Sequence, residues 1–195
     1  MQRRYLIPVL IVLIVLAAVW NLKRNIEQAE APPMADIGGA FSLVDHNAKP
    51  VTDKDYLGRH LLIFFGYTYC PDICPLALET VSAVQDILGK DSAKLHPLFI
   101  SVDSERDTPD VLKDYLGNFH PSITGLTGSP DQVRNTAKVY RIFFAKVREE
   151  GDPEDEYLMN HSTALVLMNP KGKFLRVYNP NIEAEALAAD IEKRL

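Results

Sequence analysis

The chain has 195 residues, 47% of them hydrophobic, and two cysteines. Once a first apolar stretch is set aside, that is enough to bury one substantial core, so a single globular domain is expected. The formal net charge of -5 and the lack of a basic stripe leave no electrostatic footprint for nucleic acid, which excludes that class of partner.

Residues 1–5 form a short tail carrying Arg3 and Arg4. The run Leu6 to Leu22 holds no charge, is dominated by Ile, Val, Leu and Ala, and is closed by Lys23 and Arg24. Its length meets the lower limit of roughly 17 residues for crossing a bilayer. A cleaved signal peptide opens in the same way. Retention is favoured, because the run ends in the interface-type residue Trp20 and cleavage after Ala31 would leave Pro32 at the new terminus. The expectation is a single transmembrane anchor over 6–22, with the basic tail inside and the rest of the chain outside. Residues 23–38, polar and Pro-containing without a sustained period, read as a linker, leaving 39–195 for the folded domain.

Leu61 to Tyr67 is continuously apolar and aromatic, as suits a strand buried on both faces, and leads straight into Cys70. Pro75 fits a first helical turn, and Leu78, Val81, Val84, Gln85 and Leu88 continue a mostly helical spacing that Gly89 stops. A strand from Leu95 to Val102, a helix from about Thr108 and Pro109, a short strand at Ile123 to Leu126 and a helix from Pro130 to Tyr140 follow. Phe143 to Val147, Thr163 to Met168 and Phe174 to Tyr178 read as strands, the last two joined by a turn through Asn169, Pro170, Lys171 and Gly172. A helix from Ile182 to Leu195 ends the chain. This order predicts an α/β domain in which helices cover both faces of a sheet, with the thiols at the carboxyl end of a central strand, where open sheets place their sites.

Cys70 and Cys74 stand four apart in Gly66-Tyr67-Thr68-Tyr69-Cys70-Pro71-Asp72-Ile73-Cys74-Pro75, a spacing that in a helical turn puts both sulfurs on one face. A helix N-terminus favours anions, so Cys74 in particular is expected to have a lowered pKa. An inert disulfide over so short a loop would remove little chain entropy from the unfolded state. Redox exchange and metal binding both need accessible, partly ionised sulfur, and the two cysteines alone leave both open. A third ligand would separate them. Of His46, His60, His96, His120 and His161, only His161, in Met159-Asn160-His161-Ser162-Thr163, lies in a loop able to approach the thiol end of a neighbouring strand.

Three blocks in this order (the thiol motif, then Ser101-Val102-Asp103-Ser104-Glu105-Arg106-Asp107-Thr108-Pro109, then Asn160-His161-Ser162) resemble the Sco (SenC) family of membrane-anchored copper-binding proteins. The resemblance runs from about Ile37 to the C-terminus. It implies a thioredoxin-like domain, a central mixed sheet flanked by helices, facing the bacterial periplasm or the mitochondrial intermembrane space. The expected location is therefore the bacterial inner membrane, single-pass, with the domain in the periplasm. The resemblance also implies copper, as Cu(I) or Cu(II), held by Cys70, Cys74 and His161. It further implies a metallochaperone role toward the binuclear copper centre of cytochrome c oxidase, the partner being the copper-bearing oxidase subunit or another copper chaperone.

That ligand set is chemically sensible, since soft thiolates hold Cu(I) and an imidazole lets the site accept Cu(II). Oxidation to a disulfide would remove two of the three ligands, so loading and thiol redox state are coupled. The chain departs from the family at Asn160, where an Asp usually precedes the histidine, which puts charge tuning of the imidazole in doubt. Asp72 reads as a solvated turn carboxylate, Asp103 with Arg106 and Asp107 as loop-holding and helix-capping groups, Met159 as core filling and Glu149 to Glu156 as a solvated acidic loop. The alternative to a metallochaperone is a thiol-disulfide oxidoreductase acting on a partner's cysteines, although the redox motif of thioredoxins is C-x-x-C. A redox or copper sensor and a thiol peroxidase stand behind it.

Overall fold

A seven-residue strand of wholly buried residues, β3 (His60–Gly66), runs through the core of the domain. In the computed structural model, which describes Trp20, residues 37–148, Gly151, Pro153 and residues 156–195, it is flanked by β4 (Leu95–Ser101) in parallel and β8 (Leu165–Met168) in antiparallel. Beyond them lie β5 (Thr124–Thr127), β1 (Ser42–Asp45) and β2 (Pro50–Thr52) on one side and β9 (Phe174–Tyr178) on the other, giving the order β2-β1-β5-β4-β3-β8-β9. A separate two-stranded sheet pairs β6 (Phe144–Val147) with β7 (Leu158–His161).

Among the described residues four α-helices accompany the sheet: α1 (Ile73–Leu88), α2 (Pro109–Leu116), α3 (Pro130–Val139) and α4 (Ala184–Glu192). Their starts follow from local chemistry. Thr108 caps α2 by accepting from the Val111 amide, and Ser129 with Gln132 forms a reciprocal capping box on α3; both helices have Pro in the first turn, where its missing N–H costs nothing. Phe64, Phe99 and Gly125 lie in one register row across β3, β4 and β5. That face receives α1 at Gly66 and α2 at Gly125, where Leu112 and Leu116 fill the space a side chain would need. Phe65, on the other face, meets Tyr140 at the end of α3, with ring centroids 5.6 Å apart. Helices thus cover both faces of a mixed sheet, the thioredoxin-like arrangement expected.

Several boundaries differ from the sequence reading. The hairpin β1–β2 has no counterpart among the elements the sequence predicts; Asp45 Oδ1 closes its turn by accepting from the Asn47 and Lys49 amides, and Ala48 takes a φ of 61°. Strand β7 stands where the sequence predicts a loop, and its pairing with β6 puts His161 opposite Phe144. The predicted anchor 6–22, apart from Trp20, the linker up to residue 36, and most of the acidic run Glu149 to Glu156 lie outside the described residues. Among the described residues no helix is long and apolar enough to cross a membrane.

Candidate metal centre

The site is built where β3 gives way to α1. After Gly66 the chain makes a turn, closed by the Cys70 amide donating to the Tyr67 carbonyl at 3.3 Å, and α1 begins three residues later. Cys70 therefore sits in the loop before the helix, and only Cys74 is in its first turn. The four-residue spacing still brings the sulfurs together, because the Cys74 amide donates to Cys70 Sγ at 3.4 Å. Cys74 is fully buried and Cys70 9% exposed, and both are free thiols.

This geometry reverses the expected order of acidities. The thiol of Cys74 donates to Cys70, which is the largest influence holding Cys70 well below the usual thiol range; burial opposes it, and the Asp72 and Cys74 amides add to it. The same hydrogen bond, with burial second, pushes the Cys74 thiol up. The helix terminus does stabilise a thiolate, but its free amides point at the sulfur that precedes the helix. Cys70 carries the anion, and Cys74, turned into the core, keeps its proton.

His161 arrives on β7, not on a loop. Its Nε2 stands 3.7 Å from Cys74 Sγ, and its Nδ1 lies 3.0 Å from the Ser162 carbonyl oxygen. A carbonyl can only accept, so Nδ1 bears the proton, and in the neutral ring Nε2 presents its lone pair to the sulfurs. Phe64 and Tyr67 hold the imidazole edge-on, with centroids 6.4 and 5.7 Å away. Ser162 fixes the hairpin end by exchanging bonds with Phe143 at 2.9 and 3.1 Å. The two Sγ atoms and one ring nitrogen all lie within 4.8 Å of one another, and they form the only such group of three among the described residues.

The remaining sequence candidates fall into place around this group. His46, His96 and His120 are engaged with Gly125, Thr124 and Ser122 respectively, and His60 is buried at the opposite end of β3. Met159 belongs to the core, and Asp72 is an exposed N-cap residue whose side chain makes no cap bond. The carboxylates after β4 divide their work. Asp107, fully buried, accepts from the Thr68 amide at 3.0 Å, the Thr68 hydroxyl at 2.6 Å and the Ser101 hydroxyl at 2.6 Å, which ties down the thiol loop. Burial pushes its carboxyl up against the pull of these bonds. Asp103 accepts from Arg106 Nε at 2.6 Å and from the Tyr157 hydroxyl at 2.7 Å. Capping of α2 falls to Thr108, not to either carboxylate. Sequence reasoning missed Thr68, Tyr157 and Gly66; their partners lie 39, 54 and eight residues away, beyond any local pattern.

Comparison with known proteins follows the same lines. The chain is 40% identical to the mitochondrial protein SCO2 of Saccharomyces cerevisiae over 160 residues, covering 82% of this chain and 53% of that one. The chain thus spans a little over half the length of the first curated relatives it matches. Among solved structures, copper-bound ScoI of Bradyrhizobium japonicum aligns with a TM-score of 0.76 at 43% identity, over 82% of this chain and 99% of that one. BsSco, described through a disulfide switch as a member of the Sco family of cytochrome c oxidase assembly proteins, aligns with a TM-score of 0.64 at 26% identity, over 85% and 97%. The model of the SCO1/SenC family matches residues 29–195, and the chain belongs to that family.

Proposed function

We propose that this protein is a copper metallochaperone that binds one copper ion through Cys70, Cys74 and His161 and supplies it during assembly of the binuclear copper centre of cytochrome c oxidase. The observation that carries the reading is the convergence of two sulfurs and one imidazole nitrogen within 4.8 Å. The donor set suits the cargo, since thiolate sulfur selects Cu(I) and imidazole accommodates Cu(II). Copper-bound relatives of the same fold support it. In this reading the anionic Cys70, the more accessible sulfur, meets the ion first, Cys74 gives up its proton as it ligates, and His161 completes the site from β7. Release to an acceptor is ligand exchange through the same exposed side.

The anchor over 6–22 would hold the domain at a membrane, with the periplasmic face of the bacterial inner membrane as its place. The acceptor would be the copper-bearing oxidase subunit or another copper chaperone. A deletion strain scored for oxidase activity with and without added copper tests the role: rescue by copper is expected, and failure of rescue would favour the second reading. That reading, a thiol-disulfide oxidoreductase acting on an acceptor's cysteines, draws on the asymmetry of the pair, because a thiolate at Cys70 backed by a protonated Cys74 is suited to exchange.

A further inference from the structure

Three parts of the chain meet at Arg106, and two of them carry the thiols and the imidazole. Its guanidinium carbon lies 4.6 Å from the ring centre of Tyr69, the neighbour of Cys70, and 3.6 Å from that of Tyr157, four residues before His161. Nη1 donates to the Tyr157 carbonyl at 3.0 Å, and Nε to Asp103 at 2.6 Å. Asp103 is 2% exposed, and its other oxygen takes the Tyr157 hydroxyl at 2.7 Å, so the carboxylate that anchors Arg106 also anchors the hairpin. A planar, delocalised cation can stack on aromatic faces and donate in-plane at once; a lysine ammonium cannot.

We propose that Arg106 is the positioning residue that holds the β6–β7 hairpin against the thiol loop, and so sets the approach of His161 to Cys74 without being a ligand. The inference rests on the three-ligand reading above. Cys74 is fixed by the first turn of α1 and Cys70 by the loop that Asp107 ties down through Thr68, whereas the imidazole depends on the hairpin. Loss of Arg106 therefore weakens the nitrogen arm selectively, and that arm matters more to Cu(II) than to Cu(I). A merely stabilising residue would weaken both states alike.

The test compares full-length Arg106→Lys with wild type, measuring Cu(II) affinity, Cu(I) affinity and amide hydrogen exchange across Leu158–His161 in the metal-free protein. The expected result is a loss of about tenfold for Cu(II), under about threefold for Cu(I), and faster hairpin exchange. In a His161→Ala background the added Arg106→Lys leaves Cu(II) affinity unchanged. Equal losses for the two copper states, a loss additive with His161→Ala, or unchanged hairpin exchange overturns the proposal. If Arg106→Lys does not fold, Tyr69→Leu carries the test, because it removes one stacking face at an exposed position and leaves the Asp103 and Tyr157 contacts intact. It is expected to shift the Cu(II)-to-Cu(I) ratio the same way, and an unchanged ratio overturns the proposal. If His161→Ala alone leaves Cu(II) affinity intact, the three-ligand reading fails, and hairpin exchange then decides by itself whether Arg106 holds the hairpin.

Discussion

A Cβ added at Gly66 would stand 2.8 Å from the sulfur of Cys74 and 2.7 Å from Phe99 Cε2. Glycine at the end of β3 is what allows the buried thiol to lie over the strand. Neither neighbour has room to yield, since both are fully buried. Gly66→Ala is expected to cost about 2 kcal/mol of stability through overpacking. It should also push the sulfur off its position and lower copper affinity about tenfold or more. Thermal melting and a copper titration check the pair of effects; destabilisation with unchanged affinity would mean that Gly66 serves packing alone.

Asp107 accepts two bonds from Thr68 of the thiol loop and one from Ser101 at the end of β4, and removing its carboxylate leaves three donors unmet. Asp107→Ala should lower stability by about 3 kcal/mol, against about 1 kcal/mol for Asp107→Asn, which keeps an acceptor oxygen and can donate to the Thr68 hydroxyl. Denaturant midpoints decide, and equal losses for the two variants would contradict the account.

The pH dependence of copper binding follows from the asymmetry of the thiols. Cys74, whose thiol is pushed up, is protonated at neutral pH, so the ion must displace its proton; Cys70, held down, has none to lose. Affinity should therefore rise with pH, by about tenfold per unit between about pH 7.5 and 8.5, above the ordinary imidazole range. Competition titrations against a chelator of known proton affinity measure this slope. A flat profile would mean that Cys74 is already ionised or does not bind.

Asn160 precedes His161 on β7, yet successive side chains of a strand point to opposite sides, and Asn160 is exposed while His161 turns inward. A charge placed in water there is well screened. Asn160→Asp is expected to change Cu(II) affinity by less than about threefold. A tenfold change would show that the neighbour tunes the imidazole through space.

The parts of the fold that rest on local chemistry were legible. The run Leu61 to Tyr67 announced the central strand, Thr108-Pro109 and Pro130 announced helix starts, and Asn169 to Gly172 announced the last hairpin turn. The turn matches Asn169 Oδ1 accepting from the Lys171 and Lys173 amides and Gly172 at a φ of 70°. Elements that exist only through distant partners were not legible. Strand β1 is held by β2 and β5, and its turn uses Ala48, a residue that carries no signal for a left-handed backbone. Strand β7 depends on β6 and on Tyr157 meeting Asp103. The thiol pair could be named from its spacing, but which sulfur holds the charge depends on which one receives the helix amides and which enters the core, and spacing does not encode that.

Whether His161 joins the two sulfurs around one ion is tested most directly by copper K-edge X-ray absorption on the Cu(II)-loaded protein, comparing wild type with His161→Ala. The account predicts two sulfur neighbours and one imidazole nitrogen supplied by His161 in wild type, with the imidazole contribution lost in the variant. An unchanged spectrum in His161→Ala would contradict it.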